Sequence, residues 1–330
     1  MLTEVALLVV SVAVILLAAE LFTNGVEWFG RKLDLSEGAT GSLLAAVGTA
    51  MPETMIPIIA IVFTHDAASE EIGIGAILGA PFMLSTVAFA LIGLTCLIGA
   101  ARSKRPNVLI VNTVVLSRDL GYFVVVYSIA LGSAFLPWHE AKVAVAVLLI
   151  GLYLLYAWQT LHHEAEAEGE PNPLHFHRKA DVPHTALVVV QMVVALGLMV
   201  AGSKIFVTNV ELVAHQLGVS ALVLALLIAP IATELPEKFN SVLWVSRQRD
   251  TLALGNVSGA MVFQSCIPVS VGLLFTPWVL EPPALISGLV ALTSAGVVAA
   301  SLRVRRVMHP QLLVMGGLLY LLYVGYVLTL

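Results

Sequence analysis

Gly48-Thr49-Ala50-Met51-Pro52-Glu53 and Ala232-Thr233-Glu234-Leu235-Pro236-Glu237 decide how this chain is read. Each hexapeptide follows one order: a small residue, Thr, two variable positions, Pro, Glu. Both lie inside apolar stretches of the length that crosses a bilayer. A carboxylate at the bilayer centre costs about 2.5–3.5 kcal/mol on insertion scales. Two of them, each beside a helix-breaking proline, predict a site that binds cations.

The surrounding composition fits that setting. The chain has 330 residues, of which 59% are hydrophobic and 11% charged, and its mean hydropathy is +0.98. Soluble domains carry about 25% charged residues. Apolar runs near the roughly 20 residues of a spanning helix recur at 2–24, 38–63, 72–99, 108–135, 141–161, 184–209, 218–246, 252–276, 283–302 and 310–330. The expected fold is an all-α integral membrane protein with ten transmembrane helices. The first run has no positive segment before it and reads as a retained helix rather than a cleaved signal. Cys96 and Cys266 both lie in apolar segments and give no disulfide argument.

Lys and Arg set the expected orientation. Loops after odd-numbered spans hold Arg31, Lys32, Arg102, Lys104, Arg105, Arg178, Lys179, Arg247, Arg249, Arg303, Arg305 and Arg306, while loops after even-numbered spans hold Lys142. Positive loops stay cytoplasmic. Both termini are therefore expected outside a cell membrane, with the linker 162–183 in the cytoplasm. Arg118, Lys204 and Lys238 fall within spans. No basic, aromatic-interleaved surface suggests nucleic acid, and no pattern assigns an oligomeric state. The expected partners are the bilayer and transported cations, without a cofactor.

Residues 23–53 align with 207–237 at a constant offset, pairing Glu27 with Glu211, Leu33 with Leu217, Ser36 with Ser220 and Glu53 with Glu237. Gly75 and Gly79 pair likewise with Gly255 and Gly259. Each half then has five helices, and an odd number inserts the second half the other way up. The expectation is two inverted repeats, 1–161 and 184–330, joined by the polar linker, with a substrate site at mid-membrane between them. Five histidines lie between His162 and His184; a metal-sensing role is a minor reading beside that of an ordinary polar linker.

Glu53 lies about fifteen residues into the second span, near mid-bilayer at 1.5 Å per residue, and Glu237 is comparably deep in the seventh. Proline has no N–H to give the carbonyl four residues back, so Pro52 should free Gly48 and Pro236 should free Ala232. Thr49 and Thr233 add hydroxyls. Carboxylate, hydroxyl and carbonyl oxygens form a hard-donor cage suited to Na⁺ or Ca²⁺. Glu234 is a third carboxylate, found in the second copy only. Three uncompensated carboxylates would cost roughly 8–10 kcal/mol, so the site must hold cations, bind protons or admit water. The plainer reading is two kinked helices whose glutamates bind Arg118 or Lys204. The glycine pairs allow close helix approach and would bring Asn256 and Gln264 toward the glutamates. Glu20, Lys204 and Arg118-Asp119 read as ion pairs or register pins.

At these residues the chain resembles the sodium/calcium exchangers of the cation/calcium exchanger superfamily, as a divergent prokaryotic-type member. That family pairs a Gly-Thr-Ser-x-Pro-Glu-like motif with a later Gly-Asn-x-x-Gly-Ser-Asn-x-Phe-Asn motif. Here the later motifs read Gly75-Ala76-Ile77-Leu78-Gly79-Ala80-Pro81-Phe82-Met83-Leu84 and Gly255-Asn256-Val257-Ser258-Gly259-Ala260-Met261-Val262-Phe263-Gln264. The resemblance implies Glu53 and Glu237 as central calcium ligands, with Thr49 and Thr233 beside them and backbone ligands near Ala46 and Pro230. Gln264 stands at the family's Asn/Asp ligand position. Ala50 and Glu234 replace motif serines, Ala80 and Ala260 replace later serines, and Leu84 replaces an Asn. Oxygen ligands of the family's extra sodium sites are thus absent, and charge concentrates in the second half. The resemblance implies a secondary antiporter exchanging Ca²⁺ for Na⁺ or H⁺, with the first and sixth helices sliding over the rest. Two other readings are a non-transporting scaffold or sensor on this fold and an intramembrane hydrolase; the latter lacks a nucleophile–base pair or metal-hydrolase motif.

Overall fold

The structure is a computed structural model that describes residues 1–32, 50–64, 66–163, 172–177, 182–305 and 307–329, excepting the side chains of 161–163, 235–237 and 305. Ala46, Gly48 and Thr49 lie outside the described residues, as does the side chain of Glu237. The described chain is helical apart from isolated bridges. In order, α1 covers Leu2–Lys32, α2 Met51–Thr64, α3 Ala67–Ala101, α4 Thr113–Gly132 and α5 His139–His163. The second half supplies α6 Thr185–Leu217, α7 Ala221–Ser246, α8 Asp250–Phe275, α9 Pro282–Arg305 and α10 Pro310–Val327. Among the described residues, eight helices are long and apolar enough to cross a membrane, and Met51–Thr64 and Ala221–Glu234 are shorter apolar segments.

The helix ends follow local chemistry. Asp66 caps α3 by accepting from the Ser69 N–H at 2.8 Å, Asn112 accepts from Val114 and Val115 at the start of α4, and Ser220 caps α7. Such caps satisfy amide groups that have no partner inside the helix. Gly218, with φ 68°, ends α6 in the left-handed conformation that glycine adopts without strain. Two helices outrun their predicted spans. α1 was expected to stop at 24 and α6 at 209. Asn24, at the predicted end of α1, and Trp28, one turn beyond it, donate to the Asn172 carbonyl at 3.0 and 2.9 Å. Gln191 of α6 accepts from the Phe176 N–H at 2.9 Å. A docked piece of the linker thus supports the extension of α1, while Val213 and Ala214 in the extension of α6 are buried in one apolar cluster with Leu8 of α1; a hydropathy window registers neither contact.

The glycine pairs divide in their roles. A Cβ on Gly75 would lie 2.4 Å from the Leu222 carbonyl oxygen, and one on Gly79 would lie 2.3 Å from that of Leu226. The backbones of α3 and α7 therefore touch, in rising register, so the two helices run the same way. The Leu226 carbonyl is also the one that Pro230 cannot engage, because proline lacks the N–H. By contrast Gly255 has nothing within 4 Å and Gly259 meets only the Tyr156 hydroxyl, at 3.6 Å. The expected tight packing holds for the first pair and fails for the second.

Other buried charges among the described residues have partners, as when Lys142 donates to the Pro277 carbonyl at 2.6 Å. Arg105, between α3 and α4, donates to Asp250 at the start of α8 at 3.0 Å and to the Val245 carbonyl. Arg118 of α4 holds Asp119 at 3.0 Å, and Asp119 also accepts from Ser258 of α8 at 2.8 Å. These are the structural roles expected of Arg118-Asp119. Lys204 is exposed, and Glu20 meets His175 at 3.4 Å. Both cysteines are buried and free.

Gly79→Ala should destabilise the protein by about 1–3 kcal/mol, the usual cost of overpacking, whereas Gly255→Ala should be neutral or stabilise by up to about 1 kcal/mol through helix propensity. Thermal unfolding of the two purified variants in one detergent checks the contrast.

Candidate functional site

α2, α3 and α7 meet around a small cavity lined by Glu53, Ile56, Ala76, Ala80, Ala229, Pro230 and Thr233. Its volume is about 10 Å³, close to the ~10–15 Å³ that admits one water and so on the scale of a single ion. The glycine contacts produce it. With no side chain at Gly75 and Gly79, α3 lies on α7, and the next residues, Ala76 and Ala80, present only methyl groups to the cavity. Glu53 reaches in from the first turn of α2, where the helix N-terminus favours negative charge, and is 6% exposed. Thr233 is 3% exposed, and its hydroxyl donates to the Ala229 carbonyl at 3.0 Å, leaving its lone pairs for another partner.

The sequence-predicted residues therefore come together in part. Glu53, Pro230 and Thr233 line one cavity although they belong to different halves of the chain. Glu234 and Gln264 form an adjoining polar layer, where Gln264 Nε2 of α8 donates to Glu234 Oε1 at 3.4 Å. Gln264 is 1% exposed, and among the described residues its Oε1 is a buried acceptor with no hydrogen-bond partner. A buried unsatisfied acceptor costs about 1–3 kcal/mol and is the kind of group a bound cation would satisfy.

Two features went unread in the sequence. Lys238 is 1% exposed; its ammonium lies 3.2 Å from Glu234 Oε2 and donates to Asn256 Oδ1 at 3.1 Å. The cation that meets Glu234 is thus Lys238, while Arg118 holds Asp119 and Lys204 is exposed. The signal was present, since Glu followed four residues later by Lys is the favourable helical order. The second feature is proline spacing. Pro57 lies four residues after Glu53 and Pro268 four after Gln264, so both carbonyls lose their helical donor, as does Ala232 through Pro236. The helices carry on through these points, with a π-helical stretch over Ile59–Thr64 after Pro57 and another over Leu84–Ala88 after Pro81. Such turns concentrate at functional sites.

Membrane-crossing helices around a buried carboxylate–hydroxyl–carbonyl cavity define an ion-transport protein. The sodium/calcium exchanger protein family matches residues 3–161 and 187–330, and the chain belongs to it. It is accordingly an integral membrane protein and a cation antiporter, and members of this family are transporters rather than enzymes. A putative antiporter, CaxA of Alkalimonas amylolytica, is 25% identical over 290 residues, spanning 86% of this chain and 84% of that protein. The inner membrane protein YrbG of Escherichia coli (strain K12) is 24% identical over 289 residues, spanning 86% and 83%. In fold, the H⁺/Ca²⁺ exchanger CAX superposes with TM-score 0.73 at 16% identity, covering 98% of this chain and 82% of that one. The sodium-calcium exchanger NCX_Mj gives 0.60 at 18% identity, covering 98% of both chains.

Gln264→Leu should lower ion-free stability by about 1–3 kcal/mol, because it takes the amide donor from the buried Glu234 Oε1, while also lowering the rise in melting temperature on adding Ca²⁺. Melting curves with and without the ion test both halves of this prediction.

Proposed function

We propose that this chain exchanges Ca²⁺ for Na⁺ by alternating access, the ion being held between Glu53 and Glu237 with Thr49, Thr233, Glu234, Gln264 and the backbone near Ala46 and Pro230. The observation that carries the reading is the cavity where Glu53 of the first half meets Pro230 and Thr233 of the second. Its volume suits one dehydrated ion, and its donors are the hard oxygens that Ca²⁺ and Na⁺ share.

The helix packing supports ten spans in two inverted five-helix repeats. α1 pairs with α6 and α4 with α9, while α5 packs on α8 as α10 packs on α3. Each relation maps onto itself or its partner when the halves are exchanged, as a pseudo-twofold requires. The antiparallel course of α1 and α6, with Gly25 against Met192 and Gly202 against Ile15, agrees with that layout. The proposed orientation in the cell membrane keeps both termini outside and the 162–183 linker inside.

Proton coupling is the second reading, and Ala80 is the observation that favours it. Its methyl lines the cavity where the family resemblance has a serine, so one sodium oxygen is missing. In purified protein reconstituted into vesicles, ⁴⁵Ca²⁺ uptake should follow an imposed Na⁺ gradient; uptake driven by a pH gradient alone would select the second reading. Glu53→Gln should reduce apparent Ca²⁺ affinity by roughly tenfold to a hundredfold, the value of a lost charged contact, with the protein still folded by size-exclusion. Uptake driven by neither gradient, with Ca²⁺ binding intact, would mark a sensor rather than a carrier.

A further inference from the structure

Lys238 is the feature of the site that the antiport reading does not use. We infer that its ammonium is a tethered cation, standing beside Glu234 in place of one transported monovalent ion, so that the carrier takes up one positive charge fewer than its carboxylates would otherwise demand. The inference rests on the antiport reading above and assigns the residue that sets its charge balance.

Glu234 and Lys238 are both buried on α7, at 1% exposure each. Glu234 faces a donor at each oxygen: the Lys238 ammonium at 3.2 Å from Oε2 and the Gln264 amide at 3.4 Å from Oε1. The ammonium is steadied from α8 by Asn256 Oδ1 at 3.1 Å. An acid, an amide oxygen and a cation at these distances form the first shell of a small monovalent-ion site, with the ion supplied by the chain itself. Glu234 adjoins Thr233, which lines the cavity. The layer thus lies within one turn of α7 of a cavity-lining residue.

Stability does not explain this pair. A buried ion pair gains little over well-packed apolar residues, because desolvation offsets the Coulomb attraction. In hydrocarbon, neither charge would persist without the other. What the pair changes is the charge of the site. Glu53 and Glu234, with Glu237 by the sequence-based expectation, bring three negative charges, and Lys238 removes one. The two that remain match one Ca²⁺ or two Na⁺, so either cargo leaves the buried site neutral. Neutrality governs the crossing, because moving one elementary charge through the membrane potential costs about 2.3 kcal/mol per 100 mV.

The test counts bound sodium and transported charge. ²²Na⁺ binding to purified protein by scintillation proximity should show one additional Na⁺ per molecule in Lys238→Gln relative to the parent, with a Hill coefficient steeper by one ion. Glu234→Gln/Lys238→Gln, which restores the parent's site charge and relieves the lone buried carboxylate, should return the count to the parental value. In vesicles clamped with K⁺ and valinomycin, parental exchange should ignore membrane potential, Lys238→Gln exchange should respond to it, and the double variant should again ignore it. The same sodium count in all three proteins would overturn the inference and leave Lys238 as a pin within α7. Binding without flux in the parent would refute the antiport reading alone, since the sodium count would still test Lys238. A parent that binds no cation while Lys238→Gln binds one would uphold the stand-in role, and a chain in which neither binds would overturn both.

Discussion

The contact of the α3 backbone with the α7 backbone at Gly75 and Gly79 is the constraint on which the site depends. Any Cβ at these positions would fall within 2.4 Å of a carbonyl oxygen, so only glycine permits the approach. Glu53 and Thr233 face one cavity because α7 lies this close to α3 while α2 packs against both. Lipid offers no hydrophobic driving force between helices, and association relies on close van der Waals packing. Two glycines one turn apart are a direct way to obtain it. The second pair, Gly255 and Gly259, keeps side chains away from the α8 surface without bringing a backbone against it.

Burying charge in a bilayer demands compensation, and the chain meets that demand in two ways. Away from the cavity, the buried acids Asp119 and Asp250 have several local donors. Asp250 takes the Arg105 guanidinium and the Ile110 N–H, while Asp119 takes Arg118 and Ser258. Both join elements distant in sequence, and removing one partner of such a pair typically costs about 3–5 kcal/mol. At the cavity the compensation is partial. Glu234 has its ammonium on the same helix, whereas Gln264 keeps an amide oxygen without a partner among the described residues. The contrast between closed pairs in the scaffold and open oxygen capacity at the centre is what separates a structural charge from one that serves an ion.

Much of this was legible in the sequence. The helices fall on the apolar runs, and the duplicated motif points to the cavity, because intramembrane acids and prolines are costly enough to stand out. What hydropathy leaves out is partnership. Lys238 registers as another charge within a span, and only helical spacing reveals that it faces Glu234. Pro57 and Pro268 read as breakers, yet their effect falls four residues earlier, on the carbonyls of Glu53 and Gln264. The extension of α1 to Lys32 meets a linker segment whose own composition, polar and proline-containing, predicts nothing, and that of α6 to Leu217 packs on α1. The different fates of the two glycine pairs were equally hidden, because the motif encodes permission to approach and tertiary packing decides where it is used.

The linker contacts bear on motion. Asn24, Trp28 and Gln191, which hold residues 172–177, all belong to α1 or α6. Gln191 also donates to the Leu21 carbonyl and to Asn24 Oδ1, tying the two helices together. Toward the cavity helices, this pair presents apolar side chains: Leu8, Ile15, Phe206 and Val210 pack with Ile56, Ala60, Ile72 and Ala76. Apolar packing is non-directional, so a shift along that face exchanges one set of contacts for another of similar kind, while hydrogen bonds keep α1, α6 and the linker segment together. In the proposed sliding motion, residues 172–177 would therefore travel with α1 and α6.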